Sequence, residues 1–341
     1  MIDEKYYNIS KENLTKSDFW TNKLYNNAYE KVKNRKYPLV IPSYNRPNSI
    51  MMKYIHDNTD FNEPWDIYFV VRKSQIHDYE ENIYFKEMPF VKLLSFEDHL
   101  IDDAGKVRMK IIEFFNDKEE ALIFMDDDIT NLTYTVPFRR DSGANISLAV
   151  SQKFAKINFA RILAMWQIAM EKAIELNDKL IISCPMIAGF SWAEDYCDSE
   201  ISIKYMSGAQ VACFCINLKN CKTYDINFRT NVGNGHEDKD FVIRSILAGC
   251  ATAEFRWLAY SCSSMGTDYL NLSVKERMEK QHDEMYNNFH DLDFVKFIID
   301  RNNFKNVRIN WNKATKYYNK INGTDINRKN NTRDLSKILN L

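Results

Sequence analysis

Glycine is scarce, with nine in 341 residues. No run of glycines follows an apolar strand. A P-loop and a dinucleotide fingerprint both need such glycines for close backbone approach to phosphate, so both are excluded. Long apolar runs are missing too. None reaches the roughly 20 residues that span a bilayer, and the first residues, Met1 to Tyr7, lack the apolar core of a secretory signal. The expected setting is off the membrane, in the cytoplasm. The seven cysteines are odd in number and scattered, which fits reduced thiols rather than a disulfide framework. Cys213 and Cys215 share one face of an expected strand, but no second pair completes a zinc site. Internal repeats are absent. Charge of one sign is absent overall, the net being −1, so the chain as a whole is not built to hold a polyanion.

What is present is a large core and one unusual junction. Apolar residues make up 45% of the chain, including 21 Phe and 19 Tyr. Residues 121–130 read A-L-I-F-M-D-D-D-I-T. The run Ala121–Met125 is long enough for one buried strand of a parallel sheet, since such strands read as continuous apolar runs. It ends in three carboxylates, Asp126, Asp127 and Asp128. Ligands of open α/β sheets bind beyond the carboxyl ends of the strands. Adjacent carboxylates repel unless a cation sits among them. Residues i and i+2 of an extended segment point the same way, so Asp126 and Asp128 can share one metal ion. The competing reading is a solvated acidic turn.

Further strands are expected at Pro38–Pro42, Trp65–Val71, Phe90–Leu94, Lys179–Ser183, Gln210–Ile216 and Ala253–Ala259. Helices are expected from Asn48 or Ser49 to about Asp57, around Gln75–Lys86, from Gly105 through Phe115, over about Ser151–Leu176 and over Phe241–Ala248. Alternation of strands and helices predicts a parallel sheet. Asn48 or Ser49 suits the N-cap after Pro47, and Gly249 suits a left-handed helix end. Tyr134–Ser147, with Pro137 and Gly143, reads as an irregular loop near a site. Residues 1–36 read as a helical extension and 271–341 as a helical, basic one, with 37–270 as the main domain. From Arg301 to Leu341 there are ten Lys and Arg against two Asp, interleaved with Phe304, Trp311, Tyr317 and Tyr318. Cations and rings together are what a nucleic-acid-binding segment needs. A solvated helix in a Lys-rich chain reads the same way.

A second acidic cluster, Glu237-Asp238, opens a helix. A helix N-terminus favours the anion, so the pair alone has an ordinary structural use. Taken together, one cluster can hold a divalent ion against a diphosphate and the other can place a general base near an acceptor hydroxyl.

The order P-x-x-I-P-S-Y-N-R-P (Pro38–Pro47), strand-D-D-D (Ala121–Asp128) and G-H-E-D-x-D-F (Gly235–Phe241) resembles glycosyltransferases of the GT-A fold. The resemblance implies a Rossmann-like α/β domain whose mixed, mostly parallel sheet is flanked by helices. It implies Mn²⁺ or Mg²⁺ on Asp126 and Asp128, and a nucleotide-sugar donor, a UDP-sugar. Pro42, Ser43, Tyr44 and Arg46 match the stretch that lines the base and ribose. Gly105–Arg108 looks like a segment that also approaches the donor, through Arg108. Asp127 is assigned to the ribose or sugar. Asp238 matches the general base of inverting members, with Glu237 as the alternative. Many members carry a late His as third metal ligand. His282 is the candidate, although it lies in a charged helical stretch. His236 is a candidate neighbour of the acid pair, and Trp192 a candidate stacking platform or a core residue.

Within that fold the chain looks most like phage and bacterial TET/JBP-associated glycosyltransferases. This implies a hydroxymethylated pyrimidine in DNA as acceptor, bound through the basic C-terminal region, and a host cytoplasm if the chain is phage-encoded. A glycan or polysaccharide-precursor glycosyltransferase is the alternative. A nucleotidyltransferase is a further one, against which the Gly-free Ser43–Pro47 loop argues. A non-catalytic binding module would have little reason to keep both acidic clusters.

Overall fold

The structure is a computed structural model. It describes residues 25–139, 145–151, 157–187, 202–208, 212–230, 236–262, 274–299, 305–326 and 332–334. Trp192 lies outside them, as do residues 1–24.

β4 (Ala121–Met125) forms because all five of its residues are apolar and all five are buried. It lies mid-sheet, parallel to β1 (Leu39–Pro42) on one side and antiparallel to β9 (Cys213–Asn217) on the other. Beyond β1 come β2 (Ile67–Arg72) and β3 (Val91–Phe96), both parallel to it. Beyond β9 come β7 (Leu180–Ile187) and β10 (Ala251–Cys262), then β8 (Ser202–Tyr205) and β13 (Thr332–Asp334). The order is β3-β2-β1-β4-β9-β7-β10-β8-β13. The pairings make β9 and β8 run against the other seven. The expected mixed, mostly parallel α/β sheet is what the chain forms.

The sheet changes direction between β1 and β4. From β1 the chain steps outward to β2 and β3, then returns to lay β4 on the other side of β1. Such a switch opens a crevice at the strands' carboxyl ends. Ser43–Pro47 and Asp126–Asp128 sit at that crevice. Behind it the helix Phe159–Leu176 buries most of one side. Its fully buried Gln167 is satisfied at both ends, accepting from Tyr37 N at 2.8 Å and donating to Arg35 O at 2.7 Å.

Four stretches differ from expectation. Tyr134–Ser147, expected as a loop, falls largely within an antiparallel hairpin of β5 (Ile129–Arg139) and β6 (Asn145–Ser151), with β5 also paired to β10. The helix expected from Ser151 starts at Phe159, capped by Asn158. The helix expected over Gln75–Lys86 is two short ones, Ile76–Glu80 and Ile83–Glu87, broken where Asn82 caps the second. The C-terminal stretch is not all helical. Helix Val274–Phe289 is followed by a hairpin of β11 (Val295–Ile299) and β12 (Lys305–Ile309), then helix Trp311–Asn322, and β13 joins the main sheet. Among the described residues no helix is long and apolar enough to cross a membrane.

Candidate active site

The loop after β1 is tied down by a closed ring of hydrogen bonds. Ser43 Oγ donates to Asp127 Oδ2 at 2.6 Å. Its partner on the other side is the Tyr79 hydroxyl at 2.7 Å. The Arg46 amide donates to that hydroxyl at 3.1 Å, and the Arg46 guanidinium returns to Asp127 Oδ1 at 2.7 Å. With Ser43 donating to the carboxylate, Tyr79 must donate to Ser43, so the proton directions close around the ring. Burial raises the Asp127 carboxyl pKa, and Ser43 and Arg46 pull against that. Asp127 therefore serves the loop. Pro42 continues the β1–β2 pairing, and Ser43 N donates to Val70 O at 2.9 Å. Asn45 has φ 57°, a left-handed turn that Asn tolerates better than most residues.

Tyr44 has the Arg72 guanidinium over its ring at 4.0 Å from the centroid. Arg72 in turn donates to Asp102 O at 3.2 Å. Neither Tyr79 nor Arg72 was singled out from the sequence. Each acts across more than 25 positions, which no local pattern signals.

The two acidic clusters meet through Arg108. The helix Ala104–Phe115 is capped by Asp103, which accepts from Lys106 N at 2.7 Å. Gly105 in its first turn packs so closely on the Arg229 carbonyl that a Cβ has no room. One turn later the buried Arg108 donates to Asp126 Oδ1 at 3.1 Å and, through its other terminal nitrogen, to Glu237 Oε1. Its guanidinium also lies over Phe214, 5.4 Å from the ring centroid. Of the acid pair, Glu237 is thus the carboxylate bonded to Arg108.

Glu237, Asp238 and Asp240 occupy the first turn of helix Glu237–Leu247. The fully buried Asp240 is gripped by Arg229 and by Arg244, the latter at 2.7 Å, and this fixes the turn. His236 is fully buried immediately before it. Burial, then the neighbouring Glu237, raises the Asp238 carboxyl to about 6. Burial raises Asp126 to about 7 against the pull of Arg108. Perturbed acids gathered at a crevice make a candidate functional site.

Asp128 differs from its neighbours. Its Oδ1 is buried with no hydrogen-bond partner, and burial followed by Asp127 raises its pKa. A buried, unsatisfied carboxylate oxygen costs free energy unless something fills its lone pairs. A divalent cation fits that need, and Asp126 offers the second carboxylate. No group of three His, Cys, Asp or Glu side chains forms a metal cage among the described residues. His282, the expected third ligand, instead packs edge-on against Phe297, 5.2 Å between ring centroids, and lies 3.4 Å from Asp283. Two carboxylates without a cage suit Mg²⁺-type binding completed by water and substrate phosphates. A cavity of about 390 Å³ opens beside Asp128, lined also by Arg46, Asn48 and Ile50.

No protein-family model and no curated protein matches the sequence. Solved structures with similar architecture include S. aureus TarS 1–349 in complex with UDP-GlcNAc, at 13% identity and TM-score 0.42, covering 74% of this chain and 67% of that one. The chain spans 66% of TarS 1–349 in its structure without ligand and 40% of the longer TarS chain. GalNAc-T7 with UDP, GalNAc and Mn²⁺ matches at 11% identity and TM-score 0.43, over 67% of this chain and 43% of that one. Glucosyl-3-phosphoglycerate synthase from Mycobacterium tuberculosis, with Mg²⁺ and UDP, matches at 10% identity and TM-score 0.45, over 84% and 90%.

Proposed function

We propose that the chain is a metal-dependent glycosyltransferase that moves a sugar from a nucleotide-sugar donor, a UDP-sugar, to an acceptor hydroxyl. The observation that carries this reading is the Arg108 bridge, which brings a candidate metal pair and a near-neutral carboxylate into one site. Asp126 and Asp128 would hold Mn²⁺ or Mg²⁺, whose charge would offset that of the donor diphosphate. The Ser43–Arg46 loop, held by Asp127 and Tyr79, gives the nucleoside a rigid seat, with Tyr44 beside it. Arg108 holds Glu237 in place. In an inverting transfer Asp238 takes the proton of the acceptor hydroxyl. The acceptor oxygen bonds to the anomeric carbon, and the bond from that carbon to the diphosphate oxygen breaks, its electron pair leaving with the nucleoside diphosphate. A base with pKa near 6 is ionised at neutral pH yet basic enough to assist.

For the acceptor, a hydroxymethylated pyrimidine in DNA is the reading adopted, and the basic C-terminal region is what supports it. The test of the donor half is a hydrolysis screen of nucleotide sugars with Mn²⁺. Slow, chelator-sensitive release of UDP from one of them is expected. No release from any nucleotide sugar contradicts the reading.

A further inference from the structure

The hairpin β11–β12 carries an electrostatic mismatch beside the acid pair. Its register sets Lys296 directly opposite Arg308 and Ile298 opposite Asn306. Residues two apart on a strand share a face, so Asn306 and Arg308 lie together, with Ile298 and Lys296 across from them. That face points at the helix that carries Asp238, because Lys239 Nζ donates to Asn306 Oδ1 at 2.9 Å. The opposite face is the buried one. Val295 and Val307 are covered there, and Phe297 packs on Tyr286 of helix Val274–Phe289.

Lys296 and Arg308 are both exposed, and neither forms an ion pair among the described residues. Nearby, Lys305 pairs with Asp283 and Lys313 with Asp293, while the exposed Lys316 and Lys320, like Lys296 and Arg308, form no ion pair among the described residues. Like charges directly opposite on a hairpin are destabilising. Lys239 adds a third cation. Burial lowers its ammonium pKa and Arg308 lowers it further, against Asp238 and Glu237. Three cations gathered at a cost in stability, one of them next to the candidate base, are placed where an acceptor would approach.

We infer that the Lys296–Arg308 face of the β11–β12 hairpin holds phosphates of the acceptor, and that this acceptor is a nucleic-acid strand whose phosphodiester backbone crosses the hairpin on its way to Asp238. The inference rests on the acceptor reading above and gives it a specific surface. Phosphate contacts of this kind position a strand without reading its sequence. The hairpin then sets which nucleotide hydroxyl reaches the base.

The experiment measures binding of a fluorescein-labelled duplex, about 20 base pairs long, to the full chain by anisotropy across a salt series. Wild type is expected to bind at low salt with a steep salt dependence. Lys296→Ala/Arg308→Ala is expected to bind at least about tenfold more weakly, with a log–log salt slope shallower by about 2, one per lost phosphate contact. Lys222→Ala, whose cation pairs with Asp117 elsewhere, serves as control and is expected to bind as wild type does. The double variant is expected to keep its nucleotide-sugar hydrolysis and to melt no lower than wild type, because it loses a repulsive pair. Unchanged duplex binding by the double variant overturns the inference, as does an equal loss in Lys222→Ala. Either result leaves the donor reading standing if hydrolysis persists. Conversely, absence of hydrolysis in wild type sinks the donor reading while the duplex titration still judges the hairpin.

Discussion

The Arg108 guanidinium stands 3.1 Å from Asp126 Oδ1, joining a helix to the end of the central strand. The same side chain reaches Glu237 on a third element. Arg108→Ala would leave a buried carboxylate without its counter-charge, which typically costs about 3–5 kcal/mol. Arg108→Lys keeps the charge but gives up the two-point fork. Urea denaturation is expected to rank wild type above Arg108→Lys and Arg108→Ala last. An alanine variant as stable as wild type would show that the bridge does not hold the two acidic clusters.

Asp127 and Asp128 are adjacent yet should fail differently. Asp127→Asn gives up a charge-assisted bond to Arg46 in a buried ring, at a stability cost of about 1.5–3 kcal/mol, and is expected to weaken donor binding. Asp128→Asn removes a charge whose buried oxygen has no partner, so its melting temperature is expected to match or exceed wild type while metal-dependent turnover is lost. Differential scanning calorimetry with and without Mn²⁺ separates them. A matched drop in stability for both would contradict the division of labour.

Gly105→Ala tests how Arg108 is aimed. An added methyl meets the Arg229 carbonyl, which is backbone and cannot swing away. Overpacking of this kind costs about 1–3 kcal/mol, and a shift of the helix start moves Arg108 one turn later. Lower stability and reduced turnover together are expected by thermal denaturation and donor hydrolysis. Wild-type values for both would mean the helix start is not tightly packed.

Stability should depend on pH through Asp126 and Asp238. Desolvation raises their folded carboxyls to about 7 and about 6, that of Asp126 with its side chain still 36% exposed, against about 4 in an unfolded chain. Between about pH 4 and 7 the folded state therefore binds more protons, and these two groups make stability fall as pH rises. Relative to Asp126→Asn/Asp238→Asn, the wild-type melting temperature is expected to drop between pH 5 and pH 8. Added Mn²⁺ is expected to recover part of the drop. A difference that stays flat with pH would mean neither carboxyl is perturbed.

Much of this site could be read from residues alone, because its markers sit at strand ends. Ala121–Met125 is buried on both faces, so it reads as one apolar run, and three carboxylates cannot be part of that run. Pro38–Pro42 and Trp65–Val71 are legible for the same reason. The β5–β6 hairpin was not, since Pro137, Arg139 and Gly143 look like a loop and the strand is specified by its distant partner β10. β8, four residues long, is held in place by β10 and β13 rather than by its own pattern. In the site, the residue types were legible but their pairings were not. That Asp127 turns to Ser43 and Arg46, and that Glu237 is spent on Arg108, depends on contacts spanning 81 to 129 positions. His282 read as a ligand candidate by its place late in the chain, and its neighbours in three dimensions are Phe297 and Asp283.

Asp126 and Asp128 are proposed to carry a metal-dependent donor site which Asp238 completes. The most direct measurement is UDP release from the active nucleotide sugar, with Mn²⁺ and acceptor, by wild type, Asp128→Ala and Asp238→Ala, each first shown folded by circular dichroism. Asp128→Ala is expected to lose both hydrolysis and transfer. Asp238→Ala is expected to lose transfer while still binding UDP and Mn²⁺ in a calorimetric titration. Near-normal transfer by either folded variant would contradict the account.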